Sequence, residues 1–208
     1  MDKTASNRLF WLLFGLGLLF FGISRWLLQT QLAPSFDPDT YKYLSGAYAL
    51  WQDQPLPAIF TTKTNIDGIL HFVPGYSWFI AALWTVLGQA SLWAVISAQS
   101  VISLLGYSIF SWLMAHWFGR WLGLSAWLIL LSAPALAWLE HTVMPEALTV
   151  PLLFISIVIC WVLPPRNTTW PVFLGAILLG CIMAIEILLR TSSQAFIPVL
   201  PLLAYLLR

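Results

Sequence analysis

Asp37 and Asp39 stand two residues apart in FDPDTYKYLSGAYAL, residues 36–50, in a chain of which only 8% is charged. Pro38 and Asp39 give a helix-start signal, with Asp39 or Thr40 as N-cap. This places the Asp39 carboxylate at the positive end of a helix dipole, which favours its ionised form. An ionised carboxylate at a lipid–water boundary suits a general base or a metal ligand. The same pair also reads as ordinary turn and cap residues. Further along, Glu146 opens a helix after Pro145 in MPEALTV. Glu186 and Arg190 lie one turn apart at i, i+4, a spacing that allows them to pair. His71 and His141 read as interfacial polar residues before they read as ligands.

The elements that must hold these groups are membrane helices. The 208 residues are 60% hydrophobic, with a mean hydropathy of +0.86 and 13 Trp. Soluble domains average about 25% charged residues. With so few polar groups to cover a surface, the solvent of this chain is mostly lipid. The formal net charge of +1 excludes a nucleic-acid partner on electrostatic grounds. Cys160 and Cys181 lie in apolar runs and read as packing residues, not as a disulfide or a metal site.

Apolar runs fall at 9–29, 72–88, 92–118, 121–139, 147–164, 170–189 and 194–207. The first follows Lys3 and Arg8 and reads as an uncleaved span with a cytoplasmic N-terminus. If all seven runs crossed, Arg120, Arg166 and Arg208 would lie outside, against the positive-inside tendency. If 72–88 instead lies along the outer interface, those three join Lys3 and Arg8 inside. Run 72–88 opens with Pro74 and Gly75 and carries Tyr76, Trp78 and Trp84, residues that favour the headgroup level. The second arrangement puts Asp37, Asp39, Asp53, Asp67, Glu140, Glu146 and Arg190 on the outer face. After Asp39, Tyr43, Ala47, Leu50 and Trp51 form an apolar stripe suited to the membrane surface. The expected fold is therefore an all-α polytopic bundle of about six spanning helices. It is one transmembrane domain, 1–208, with a first span at 1–30, an outer loop with juxtamembrane helices at 31–91 and the remaining spans at 92–208.

The order of these segments resembles the N-terminal membrane module of the C-type glycosyltransferases, which include protein O-mannosyltransferases and the lipid A aminoarabinose transferase. The resemblance rests on Asp39, Tyr43, Ala47 and Leu50 after the first span, followed by HFVPGYSWFIAALWTVLG. Then come SAQSVISLLGYSIFSWLMAHWFGR, LSAPALAWLEHTVMPEALTVPLLF and GAILLGCIMAIEILLRTSSQAFIPVLPLL. Thr40 stands where many members carry a second acid, and the second acid here is Asp37. Family members are longer, which implies a partner subunit supplying further C-terminal helices, or a shortened module.

The resemblance implies transfer of a sugar from a polyprenyl-phosphate donor to an acceptor hydroxyl, with inversion, on the extracytoplasmic face of a cell membrane. In that reaction Asp39, or failing it Asp37, is the base. Arg190, with Lys63 and His71 as weaker choices, stabilises the departing lipid phosphate. Glu146 binds a donor hydroxyl, orients the base or joins Asp37 and Asp39 around a divalent cation, and Tyr43 contributes to substrate binding. Two alternatives come from other classes: a non-catalytic membrane subunit that binds polyprenyl lipid, and a small transporter or flippase.

Overall fold

The computed structural model of the chain describes residues 3–37, 39–52, 74–162 and 169–190, and these form eight α-helices. They are α1 (Lys3–Gln31), α2 (Thr40–Gln52), α3 (Gly75–Leu87), α4 (Leu92–Phe118), α5 (Arg120–Ser132), α6 (Pro134–His141), α7 (Glu146–Val162) and α8 (Thr169–Leu189). No strand ladder occurs among the described residues. There is a single parallel bridge between Ser35 and Thr142.

Helix α4 is central, packing on α5 and α7, while α1 lies against α5 and α8 against α7. The α4–α5 turn is made by Gly119, whose φ of 100° is one that L side chains rarely adopt. Between α5 and α6, Ala133 is extended because the residue before a proline is pushed out of the helical region. Pro134 then starts α6 at a bend of 53°.

Two helices, α1 and α4, are long and apolar enough to cross a membrane, or three if the bent α5–α6 pair is one span. This is fewer than the six expected from the apolar runs. Run 121–139 is broken at Ala133, and α7 has only 17 residues with Pro151 inside it. Run 194–207 lies outside the described residues. Run 72–88 is expected not to cross, and α3 has 13 residues, about 20 Å, against a hydrocarbon core of about 30 Å.

Helices α2 and α3 pack on each other around Tyr43, Ala47, Tyr76, Ile80 and Trp84. The Tyr43 and Tyr76 rings meet edge to face at 5.1 Å. The stripe expected to lie on the membrane is thus divided. Tyr43 and Ala47 face α3, and only Leu50 remains largely exposed. The reason is that α3 offers a better-packed apolar partner than a surface does.

The two ends of the bundle are chemically distinct. Arg120 donates a hydrogen bond to Ser6 Oγ near the start of α1. At the far end of α1, Ser97 Oγ donates to Gln29 Oε1 at 3.3 Å. Beyond α1, the Ser35 N–H donates to the His141 carbonyl and the Val143 N–H to the Ser35 carbonyl. The Arg120 turn and the Glu146 turn therefore lie at opposite ends, as the charge pattern predicts.

Candidate functional site

The start of α2 is fixed from both sides. The Asp37 N–H donates to Thr40 Oγ1 at 2.9 Å, and the Thr40 N–H donates to the Asp37 carbonyl at 2.9 Å. Thr40 Oγ1 in turn donates to the Val143 carbonyl at 2.9 Å, and Thr40 has no exposed surface. The residue standing where a second acid is expected is thus a structural tie between α2 and the 142–145 turn. Asp39 is the N-cap by its backbone, its carbonyl accepting from the Lys42 and Tyr43 N–H groups. Its carboxylate accepts from Lys42 Nζ at 2.8 Å and is about half exposed, at 49%. Asp37 Oδ1 accepts from the Asp39 N–H at 3.2 Å.

The 142–145 turn and the first turn of α7 are held by α4. Ser103 Oγ donates to the Ala147 carbonyl at 2.9 Å, and Gln99 Nε2 to the Thr142 carbonyl at 3.0 Å. Gln99 is completely buried and its Oε1 accepts from the Tyr76 hydroxyl at 2.6 Å, which joins α3 to the same turn. Glu146 then projects from the first turn of α7 and pairs with the Arg190 guanidinium through Oε1. Glu146 Oε2 is buried with no hydrogen-bond partner among the described residues.

The i, i+4 spacing allows a Glu186–Arg190 ion pair, and the structure does not form it. Arg190 follows the last residue of α8, so its side chain leaves the helical face and turns to Glu146. Only its backbone N–H stays with Glu186, donating to that carbonyl at 2.8 Å. The buried Glu186 carboxylate accepts from Ser156 Oγ at 3.3 Å. Gly75 makes this placement of α8 possible, since a Cβ there would overlap the Leu188 carbonyl oxygen.

Asp37, Asp39, Tyr43, Met144, Pro145, Glu146 and Arg190 together line a polar pocket of about 120 Å³. Burial pushes the Tyr43 phenol above its ordinary value, and the Asp39 charge adds to this, with Arg190 opposing and Asp37 reinforcing. The phenol is therefore held protonated. Five of the seven residues predicted for the site meet here, drawn from three segments of the chain. The other two, Lys63 and His71, lie outside the described residues, as do Asp53 and Asp67.

The carboxylates do not form the cation cage that Asp37, Asp39 and Glu146 suggest. Among the described residues no three His, Cys, Asp or Glu side chains are grouped to hold a metal ion. Asp39 and Glu146 each already face a cationic side chain. His141 is buried, its Nε2 2.9 Å from the Ala33 carbonyl oxygen, so it ties α6 to the loop after α1.

The sequence places Glu140 with the outer acids, and the structure corrects this. Glu140 is 1% exposed and forms a bidentate pair with Arg25, from Nε to Oε2 at 2.8 Å and from Nη2 to Oε1 at 3.1 Å. Arg25 Nη1 also donates to the Leu131 carbonyl at 3.2 Å. Arg25 itself went unremarked within the first apolar run. The available signal was a lone guanidinium in a spanning segment, which needs a buried partner.

Cys160 and Cys181 are both free, and Cys160 is buried in apolar packing as expected. Compared with family models, with curated proteins and with solved structures, the chain matches none.

Proposed function

We propose that this chain acts as the membrane module of a lipid-linked-sugar-dependent glycosyltransferase, moving a sugar from a polyprenyl phosphate to an acceptor hydroxyl at the face that carries Asp37 and Asp39. The convergence of two aspartates, Tyr43, Glu146 and Arg190 on one polar pocket, in a chain otherwise so apolar, carries this reading. Asp39 is the base, because its carboxylate is half exposed and pairs with the partly exposed Lys42, whereas Asp37 Oδ1 is taken by the Asp39 amide. As the acceptor hydroxyl attacks the anomeric carbon, Asp39 takes its proton, and the sugar–phosphate bond breaks with the electron pair leaving on the phosphate. Arg190 is 42% exposed and has donors beyond the one facing Glu146, so it meets that phosphate. Tyr43, held protonated, donates to a sugar oxygen. In this reading α7 and α8 also cross, the pocket end is extracytoplasmic and the N-terminus is cytoplasmic.

A second reading, a non-catalytic subunit that binds polyprenyl lipid beside a catalytic partner, is favoured by the pocket's size. Its 120 Å³ falls below the roughly 300–1,000 Å³ of most ligand sites, and two of its carboxylates are already paired. The buried Arg25–Glu140 pair lends transport little support, because both partners are fully engaged.

The test uses the full chain in nanodiscs with a panel of polyprenyl-phosphate sugars, following donor binding and release of polyprenyl phosphate. The transferase reading expects release that falls about 100-fold or more in Asp39→Asn, the usual weight of a general base. Binding without release from any donor leaves the subunit reading standing. No binding to any donor removes both.

A further inference from the structure

An apolar cavity lies away from the polar pocket, towards the Arg120 end of the bundle. It has a volume of about 330 Å³ between α1, α4 and α5, with Phe10, Trp11, Phe14, Trp112 and Trp127 in its wall. An apolar cavity of about 150 Å³ takes up benzene, so this one has room for on the order of a dozen carbons. The Phe14 and Trp127 rings stack at 4.1 Å to form one side. On the other, Trp11 and Trp112 are 60% and 64% exposed, so the cavity is open towards surrounding lipid.

Two hydroxyls interrupt the aromatic wall. Ser108 is engaged, donating to the Leu104 carbonyl and accepting from the Trp127 indole. Ser111 is not: it is 6% exposed, and its Oγ has no hydrogen-bond partner among the described residues. Other helical hydroxyls in this chain, Ser24, Thr30, Thr85 and Ser132, return to carbonyls three or four residues back. A buried donor without a partner is costly, which calls for an acceptor inside the cavity.

The depth of Ser111 indicates which acceptor. It lies seven residues before the end of α4, about 10 Å from the Gly119 turn. With that turn at headgroup level, Ser111 falls just inside the hydrocarbon boundary, where the ester groups of glycerolipids lie. The exposed Arg120 stands at the turn itself, next to Trp121 and bonded to Ser6, and Arg8 is exposed at the same end.

We propose that this cavity holds one acyl chain of an anionic membrane phospholipid, with Ser111 Oγ donating to its ester carbonyl and Arg120 meeting its phosphate. The site is separate from the polar pocket and does not rest on the transferase reading.

The full chain is reconstituted in nanodiscs of equimolar dioleoylphosphatidylglycerol and dioleoylphosphatidylethanolamine, then released and weighed by native mass spectrometry. Wild type is expected to retain one phosphatidylglycerol. Ser111→Phe, which fills the cavity, lowers retention about tenfold or more, the factor set by roughly 1.4 kcal/mol. Ser111→Ala keeps the cavity and lowers it about three- to tenfold, the value of one hydrogen bond. Arg120→Gln reduces the preference for phosphatidylglycerol about fivefold. Leu105→Phe, on an exposed part of α4 outside the cavity, retains lipid as wild type does. Circular dichroism and elution volume establish that each variant is folded. The proposal is overturned if folded Ser111→Phe and Ser111→Ala retain as much lipid as wild type, if Leu105→Phe loses as much, or if wild type carries detergent only.

Discussion

Among single residues, the largest energetic commitment is the Arg25–Glu140 pair. Removing one member leaves the other charge buried without compensation, which costs about 3–5 kcal/mol where such pairs have been broken. Arg25→Met and Glu140→Met are each expected to lower the thermal unfolding midpoint in detergent substantially. The double variant Arg25→Met with Glu140→Met should recover much of that loss, since two apolar side chains of similar size leave no orphan charge. Equal losses that simply add would show that the two groups are not coupled. The pair also explains how the chain tolerates its break at Pro134. Carbonyls at the end of α5 lose their helical partners there, and Arg25 supplies a donor to that of Leu131. A residue that reads as an oddity in an apolar run is thus required by a proline more than a hundred positions later. At the polar pocket the balance is different. Asp39 and Lys42 are both partly exposed, so their pairing is screened and readily exchanged for another partner. Lys42→Met should therefore leave the fold intact, with an unchanged unfolding midpoint, and any transfer activity that uses Asp39 should survive it.

At the level of elements, the pocket depends on how closely α8 approaches α3. Gly75 sits against the Leu188 carbonyl, and Leu189 belongs to the same apolar core as Tyr43 and Tyr76. A larger residue at position 75 must push the end of α8 away, taking Arg190 from Glu146. In a background of Cys160→Ala and Cys181→Ser, Glu146→Cys and Arg190→Cys should be joined readily by a short bis-maleimide cross-linker, which replaces the combined reach of the two paired side chains. Adding Gly75→Leu should suppress this cross-link, while Ala82→Leu, on the same helix but not in its buried face, should not. A cross-link that forms equally well in all three would show that α8 is positioned by other contacts. These relations mark the limit of what the sequence conveys. Helix positions follow from apolar runs and from Pro and Gly, and a helix start at Asp39 or Thr40 and an apolar helix after Pro74 were legible in that way. The bend at Ala133 was not, because an uninterrupted apolar composition hides a backbone break. The partner of Arg190 was not legible either. A spacing of i, i+4 applies only while both residues remain helical, and α8 ends at Leu189.

For the whole molecule, the decisive property is the separation of charge between its ends. Arg120 bonds to Ser6 at one end, while Asp37, Asp39, Glu146 and Arg190 meet at the other, and α1 runs between them. With 29 residues, α1 is about 43 Å long, enough to carry its two ends into opposite aqueous phases. The positive-inside tendency predicts that the Arg120 end faces the cytoplasm. That prediction depends on distant acids sharing one end, and Asp37, Asp39 and Glu146 do line one pocket. Much of the candidate pocket was therefore legible before any contact was known, because membrane topology sorts loops between only two faces. What sorting by face cannot provide is pairing within a face, which is why Glu140 was grouped with acids it does not join. The orientation can be measured directly. In the same cysteine-free background, Arg120→Cys and Asp39→Cys are introduced separately, both at exposed or half-exposed positions. In intact cells a membrane-impermeant maleimide should label position 39 and not 120, and after permeabilisation both should react. The opposite pattern would place the pocket in the cytoplasm, where an extracytoplasmic sugar acceptor cannot reach Asp39. Labelling of both positions in intact cells would mean that α1 does not separate the two phases, and the bundle would then have to lie within one face of the membrane.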